Sequence, residues 1–427
     1  MNNLNSKGNE TESERTIIDK VDVGMDVDNK EREHELEQEH PESAKPSVEE
    51  LYPPVSSWDE LPLCEEILRG IYSYGLERPS PIQSKAILPV MQGHDVIAQA
   101  QSGTGKTATF TIGSLSRIDL SLKEEQVLMV APTRELVQQI VHVVKNIGSC
   151  MEGLKVKTVL GGGSIAEDIE YFKKNAPQVV VGCPGRILDL LKRRVIRTPH
   201  IKALVLDEAD ELLSFDFRTQ MQDIIGKLPP TVQIALFSAT LPEHIKELTK
   251  CFMNNPVEIL VKQEQLTLEG IKQYAVAIHH HNEKYETLKD LYSSISVQQC
   301  IIYCNSINRV MELYDWLTRD GFAVSCIHSN MAKEDREAAF VDFRTGASRI
   351  LISSNVTSRG IDIQQVSVVI NYEIPHDVSN YLHRIGRSGR WGRKGVAINF
   401  VTPSDVKKLR YIEQYYATEI QELPETF

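Results

Sequence analysis

The octapeptide AQSGTGKT, Ala100 to Thr107, sets a lysine and a hydroxyl directly behind two glycines. Gly103 and Gly105 let backbone N–H groups turn inward around an anion. A helix opening at this point adds its positive end to the same attraction. Lys106 can then reach the β- and γ-phosphates of a nucleotide, and the Thr107 hydroxyl can ligate Mg²⁺. Gln101, Ser102 and Thr104 complete the loop, and Ala100 stands where such loops usually begin with glycine. A glycine-rich turn that merely contains a lysine is the competing reading. The strand-like DVIA at 95–98 directly upstream weighs against it.

A second cluster, DEAD at 207–210, ends the apolar run Ala203-Leu204-Val205-Leu206. Adjacent carboxylates at the end of a buried strand repel each other unless a cation sits beside them. Asp207 can hold Mg²⁺, through water because that ion sheds its hydration reluctantly. Glu208 can orient or deprotonate an attacking water. Acids decorating a helix N-terminus are the alternative. With GKT upstream, the pair reads instead as the metal and water side of a phosphate-transfer centre.

Both clusters need strands to present them, and the chain supplies these repeatedly. Short apolar runs rich in β-branched residues each lead into a polar or glycine-rich turn and then a helical pattern. The first half has them at 95–107, 127–136, 156–164, 178–186, 203–210 and 234–240. The second half has them at 300–306, 323–330, 349–355, 367–375 and 395–403. Continuous apolar strands alternating with helices imply parallel sheets covered on both faces. Two such series predict two α/β domains, at 51–261 and 271–427. The polar, glycine-containing stretch at 261–273 breaks the rhythm, so the linker is placed at 262–270. In open parallel sheets ligands bind beyond the carboxyl ends of the strands, where nearly all these polar clusters fall.

At 427 residues, two domains are the expectation. Hydrophobic content of 41% and charged content of 25% are ordinary for a soluble globular chain. No apolar run is long enough to span a bilayer, no signal peptide is expected, and the seven cysteines contain no CxxC pair. Most of the cysteines lie in apolar segments and read as reduced core thiols of an intracellular protein. The net charge of −12 sits mainly in residues 1–50, which carry 15 acids and 6 bases; the remainder is close to neutral, with 44 and 41. This tail has few large apolar residues and is expected to be disordered. Its acidity does not argue against a polyanionic partner for the body.

With PSPIQ (79–83), PTREL (132–136), CPGR (183–186), SAT (238–240), SRGID (358–362) and HRIGRSGR (383–390) added in order, the sequence resembles the DEAD-box RNA helicases. It is most similar to the initiation factor 4A group, over residues 55–427. The resemblance implies two tandem RecA-like domains and an ATP-driven cycle. Gln83 would read the adenine edge, since an amide offers the acceptor and donors that adenine requires. Ser238 and Thr240 would hydrogen-bond the DEAD segment at Asp210, and His383 would receive that link from the second domain. Arg387 and Arg390 would act as arginine fingers on the γ-phosphate, which makes hydrolysis depend on closure. Asp362 is implied near the ribose or these arginines. Trp58 matches an aromatic associated with the adenine site, and equally suits a tryptophan packed under the sheet.

RNA would cross both halves, on Arg134, Gly162, Gly163 and Arg186 in the first and Asn305, Ser354 and Gly360 in the second. Glycines at strand ends let a sugar–phosphate backbone approach main-chain N–H groups. Without an aromatic stacking platform, little sequence preference is expected. The chain departs from the family pattern at several positions. Cys183 stands where threonine is usual, and one lost hydrogen bond costs about 1 kcal/mol. Leu76 replaces an aromatic and Val137 an alanine. Ser329-Asn330 replaces Gly-Asp, and Ser354-Asn355 replaces Thr-Asp.

The implied activity is an RNA-stimulated ATPase that locally unwinds RNA in translation initiation, in the cytoplasm and as a monomer. ATP and Mg²⁺ are the implied cofactors, with a helical-repeat scaffold as a further partner. An ATP-gated RNA clamp in an exon-junction or ribosomal-RNA processing complex, and hence a nuclear location, is the alternative.

Overall fold

The computed structural model describes residues 48–424 apart from 102, 261–270, 295–298, 356–365 and 389–394. Among the described residues, each half contains a sheet of seven parallel strands. In the first half these are β1 Val96–Gln99, β2 Val127–Val130, β3 Val156–Val159, β4 Val179–Gly182, β5 Ala203–Asp207, β6 Gln233–Ser238 and β7 Val257–Ile259. Their spatial order is β3-β4-β2-β5-β6-β1-β7. In the second half they are β8 Ile271–Ala277, β9 Cys300–Tyr303, β10 Val324–Ile327, β11 Ile350–Ser353, β12 Val368–Asn371, β13 Gly395–Val401 and β14 Gln421–Glu422. The order there is β10-β11-β9-β12-β13-β8-β14.

The apolar runs are continuous because both faces of each sheet are covered. In β2, Val127 and Met129 enter one hydrophobic core while Leu128 and Val130 enter the other. In β9, Cys300 and Ile302 face one core, and Ile301 and Tyr303 face the opposite one. A strand buried on both sides has no polar face to keep, which erases the alternation of a half-exposed strand.

Three strands fall outside the expected runs. β7 is a three-residue strand at the sheet edge, and β14 has two residues. β8 is partly exposed, and its first three residues, Ile271-Lys272-Gln273, fall in the polar stretch read as the break between domains, which masks the apolar run Tyr274–Ala277 behind them. The cysteines also differ from expectation. Cys300, Cys304 and Cys326 are buried, but Cys64, Cys150 and Cys251 are exposed. Among the described residues no helix is long and apolar enough to cross a membrane. Nearly all of residues 1–50, and the linker at 262–270, lie outside the described residues.

Parallel pairing sends every strand's carboxyl end to the same edge of its sheet. That edge carries the loops after β1 to β6 and after β9 to β13, and these loops hold the clusters singled out from the sequence.

Candidate functional site

The loop after β1 closes on Gly105, which caps the helix Lys106–Leu115 in the left-handed region at φ 99°. Gly103 is also left-handed, at φ 85°. A Cβ on Gly105 would lie 2.5 Å from Gln83 Nε2, so glycine is required here for both conformation and space. Lys106 is buried, and its ammonium donates to the carbonyls of Ala100 at 2.7 Å and Gln101 at 3.4 Å. Thr107 begins the second position of the helix, and Thr104 Oγ1 donates to the Gln101 carbonyl. Ser102 lies outside the described residues.

Gln83 belongs to the helix Pro81–Gln92, which starts with a reciprocal capping box. Its Oε1 accepts from the Ser80 N–H at 2.7 Å, and its Nε2 donates to the Gly105 carbonyl at 3.4 Å. Ser80 Oγ donates to the Thr104 carbonyl at 2.7 Å. The side chain expected to read adenine thus also stitches the helix start to the phosphate loop. Ser80 was not anticipated, although the S-x-x-Q spacing of a capping box signals it. Trp58 is fully buried, with Nε1 donating to the Leu76 carbonyl at 3.0 Å. This is the packed arrangement of the two readings.

Asp207 ends β5 and Glu208 follows it, buried at φ 50°, a strained conformation for a side-chain-bearing residue. The Asp207 carboxylate accepts from the Glu208 N–H at 3.0 Å. Burial, and then the neighbouring Glu208 carboxylate, push the Asp207 carboxyl up to about 7, with Lys106 opposing the shift. A buried acidic cluster in this state fits a divalent cation, which relieves both causes.

Asp210, three residues on, links the two halves. It accepts from Ser238 Oγ at 2.9 Å and from Thr240 Oγ1 at 2.6 Å. From the second half, His383 Nε2 lies 3.2 Å from the same carboxylate. All four side chains are buried. Glu208, Asp210 and His383 also bring potential metal-ligand atoms within 4.8 Å of one another. The hydroxyls and imidazole around Asp210 account for this grouping without an ion. His383 lies on the helix Val378–Ile385, and Arg387, just beyond it, is buried with Nε donating to the His383 carbonyl. Arg390 and Asp362 lie outside the described residues.

A hollow of about 1110 Å³ runs between the halves and is lined by Arg134, Gly163, Arg186, Asp210, Arg336 and Asn355 among others. Arg134 donates to the Gly161 carbonyl, and a Cβ on the left-handed Gly162 would strike its guanidinium. Arg186 donates to the Gly163 carbonyl at 2.5 Å and to Asp168 at 3.1 Å. The three-glycine loop after β3 is therefore pinned by two of the arginines assigned to RNA. In the second half, Asn305 and the buried Ser354 follow β9 and β11, but among the described residues it is Asn355, and neither of these two, that lines the hollow. Gly360 lies outside the described residues. The ion pair Arg336–Glu135 at 3.6 Å is a second contact between the halves. No sequence motif marks Arg336, although Glu135 lies within PTREL.

Two departures acquire structural form. Cys183 caps the helix Pro184–Lys192 without a side-chain hydrogen bond, and burial raises its thiol to about 12, so it stays neutral. Val137 is fully buried in the first core.

Comparison with known proteins follows the same division. A DEAD/DEAH box helicase model matches residues 80–248, and a helicase conserved C-terminal domain model matches 283–392. The ATP-dependent RNA helicase eIF4A of Phaeosphaeria nodorum is 52% identical over 368 residues, covering 86% of this chain and 92% of that protein. The structure of S. cerevisiae Dbp5 bound to RNA and ADP BeF3 is 34% identical, with a TM-score of 0.80 over 86% of this chain and 95% of that one. A Dbp5 variant bound to Nup159, a Gle1 variant, IP6 and ADP has nearly the same identity, 33%, over 86% and 96%, yet superposes at 0.60. Since the sequence distance is equal, the two halves here are arranged more nearly as in the RNA- and nucleotide-bound form.

Proposed function

We propose that this chain, which belongs to the family of DEAD/DEAH box helicases, is an RNA-stimulated ATPase that locally unwinds RNA during translation initiation. The observation that carries the reading is the buried junction of Asp210, Ser238 and Thr240 with His383 of the other half. A phosphate site and a strand-binding surface joined by one buried network can exchange free energy, as helicase action requires. The eIF4A names of the relatives support the initiation role over the clamp alternative.

In the proposed cycle, Gln83 and the loop from Ala100 to Thr107 bind ATP, and Lys106 exchanges its loop carbonyls for the β- and γ-phosphates. Thr107 and Asp207 would hold Mg²⁺, which when bound supplies charge neutralisation on the phosphates. Glu208 orients the attacking water and takes up its proton. Arg387 and Arg390, delivered by the second half, stabilise charge on the transferring group, so turnover waits for closure. Asp362, outside the described residues, is proposed near the ribose or near these arginines. Arg134, Gly162, Gly163 and Arg186, with Asn305, Ser354 and Gly360, grip the RNA backbone and confer little base preference. Hydrolysis removes the γ-phosphate contacts, the halves part and the strand is released.

We extend the proposal to a cytoplasmic monomer working with a helical-repeat scaffold that biases the halves toward closure. A solved complex of a Dbp5 variant with a Gle1 variant and Nup159 supports a protein partner, without bearing on its fold or on closure. The test is steady-state ATP hydrolysis with and without single-stranded RNA, for the native chain and Glu208→Gln. The expected result is strong RNA stimulation, lost in the variant while ATP binding persists. Hydrolysis that ignores RNA would overturn the reading.

A further inference from the structure

A second hollow, of about 910 Å³, lies in the first half at the edge opposite the phosphate loop. Its walls are the segments that lead into β2, β3, β4 and β5, so it opens at the amino ends of the strands. Leu120, Ile169, Phe172 and Val195 give it an apolar lining. Among the described residues, seven lysines and arginines line it as well, and no aspartate or glutamate does. Neighbouring acids account for three of these cations. Arg197 pairs with Glu124 at 3.1 Å and with Glu125 at 3.4 Å, Arg193 with Asp189 at 2.8 Å, and Lys174 with Glu170 at 2.5 Å. Lys155 reaches the neutral Asn175 amide oxygen at 3.4 Å. Lys123, Lys173 and Arg194 have no ion pair among the described residues. Arg194 is also held at φ 56°, just past the helix Pro184–Lys192, in the left-handed region that favours glycine.

Four uncompensated cations beside an apolar surface suit an acidic segment that carries an apolar residue, and the chain contains one. Between Glu31 and Glu42 the sequence EREHELEQEHPE has six glutamates, one arginine and a single large apolar side chain, Leu36. The geometry allows the two to meet. The Tyr52 ring lies 5.9 Å from that of His94, two residues before β1, so the chain enters the first half at the amino end of β1. This is the edge that carries the cleft. Four strand positions separate β1 from β4, about 19 Å at the usual spacing. Glu42 and Glu31 precede Val48 by six and seventeen residues, which an extended chain spans in about 20 and about 56 Å. A tethered segment meets such a cleft at an effective concentration of about millimolar, so a modest attraction fills it. RNA is the competing polyanion, but the surface assigned to it follows the carboxyl ends of the strands, at the other edge.

We propose that the basic cleft at the amino ends of β2 to β5 is the docking site of the chain's own segment Glu31–Glu42, with glutamates against Lys123, Lys155, Lys173 and Arg194 and Leu36 against the apolar lining. The inference goes beyond the helicase reading and does not depend on it. Docking there keeps a strongly acidic stretch away from the hollow between the halves.

The full chain would be treated with a water-soluble carbodiimide, which joins a carboxylate to a lysine in direct contact, and the linked peptides identified by mass spectrometry. The expected links run from Glu31–Glu42 to Lys123, Lys155, Lys173 and Lys174 in preference to other exposed lysines, and fade as salt rises. In a mixture of isotopically heavy and light chains, each link should join two segments of the same chain. Lys123→Glu combined with Arg194→Glu leaves the other three lysines in place, and linking at these should fall about tenfold at low salt while the thermal midpoint holds. Links scattered over the surface lysines, or unchanged in the double variant, would overturn the proposal. Mixed heavy–light links would give the cleft to the tail of a second copy, and links lost on adding single-stranded RNA would give it to RNA; either result overturns the proposal.

Discussion

His383 Nε2 and Asp210 Oδ2 lie 3.2 Å apart although 173 residues separate them in the chain. The contact joins an acid three residues beyond the end of β5 to a helix that belongs to the other half. Replacing His383 with alanine should leave ATP binding largely intact and reduce RNA stimulation of turnover roughly 5–150-fold. A double-mutant cycle of His383→Ala with Asp210→Ala should return an interaction of about 0.5–3 kcal/mol. Strict additivity would mean that the contact carries no coupling.

Asp207 predicts an unusual pH dependence. Its folded value of about 7 lies above the ordinary 3.8, so the native state holds a proton that the unfolded chain releases. Stability contributed by this group is then complete below about pH 4 and falls as pH rises toward about 7. Thermal unfolding in a chelator should show a decline across that window, flattened by Asp207→Asn. Added Mg²⁺ should raise the midpoint most at the high-pH end. A midpoint indifferent to both pH and Mg²⁺ would contradict the fit of a cation to this cluster.

The unfilled cap at Cys183 predicts a gain. Its backbone is extended, at φ −86° and ψ 151°, as an N-cap requires. Cys183→Thr should supply the missing acceptor and stabilise the first half by about 0.5–2 kcal/mol, read as a higher thermal midpoint. No change would mean that the hydroxyl is directed elsewhere.

Gly105→Ala should be disabling in a different way. The left-handed φ and the 2.5 Å approach to Gln83 both resist a Cβ. The strain of roughly 1–3 kcal/mol should distort the phosphate loop. Nucleotide titration should show ATP affinity falling steeply while far-ultraviolet circular dichroism stays native. Unchanged ATP affinity would remove Gly105 from the requirement.

The two sheets are legible because doubly buried strands have no polar face to hide them. β8 is the exception, since Lys272 and Gln273 open a partly exposed strand within the polar stretch that reads as a break between domains. The phosphate loop and the acidic cluster were equally plain, because glycine, lysine and carboxylate at fixed offsets have few other uses. Partnerships were less visible. Ser80 with Thr104, Arg336 with Glu135, and Arg384 with three asparagines are contacts between distant segments. Their strength lies in geometry that no local spacing encodes. Nor does sequence reveal that Gln83 braces the phosphate loop, since the capping box explains only half of its hydrogen bonds.

The separation of Asp210 from His383 also bears on how the protein is made. A chain emerging from the ribosome completes the sheet that holds Lys106, Asp207 and Glu208 while the partner helix is still unsynthesised. Such an intermediate could capture a nucleotide, yet it would lack the cross-half groups assigned to its hydrolysis. Under the proposed mechanism the order of synthesis itself acts as a safety catch, and fuel consumption begins only after the segment that carries His383, Arg387 and Arg390 has folded into place.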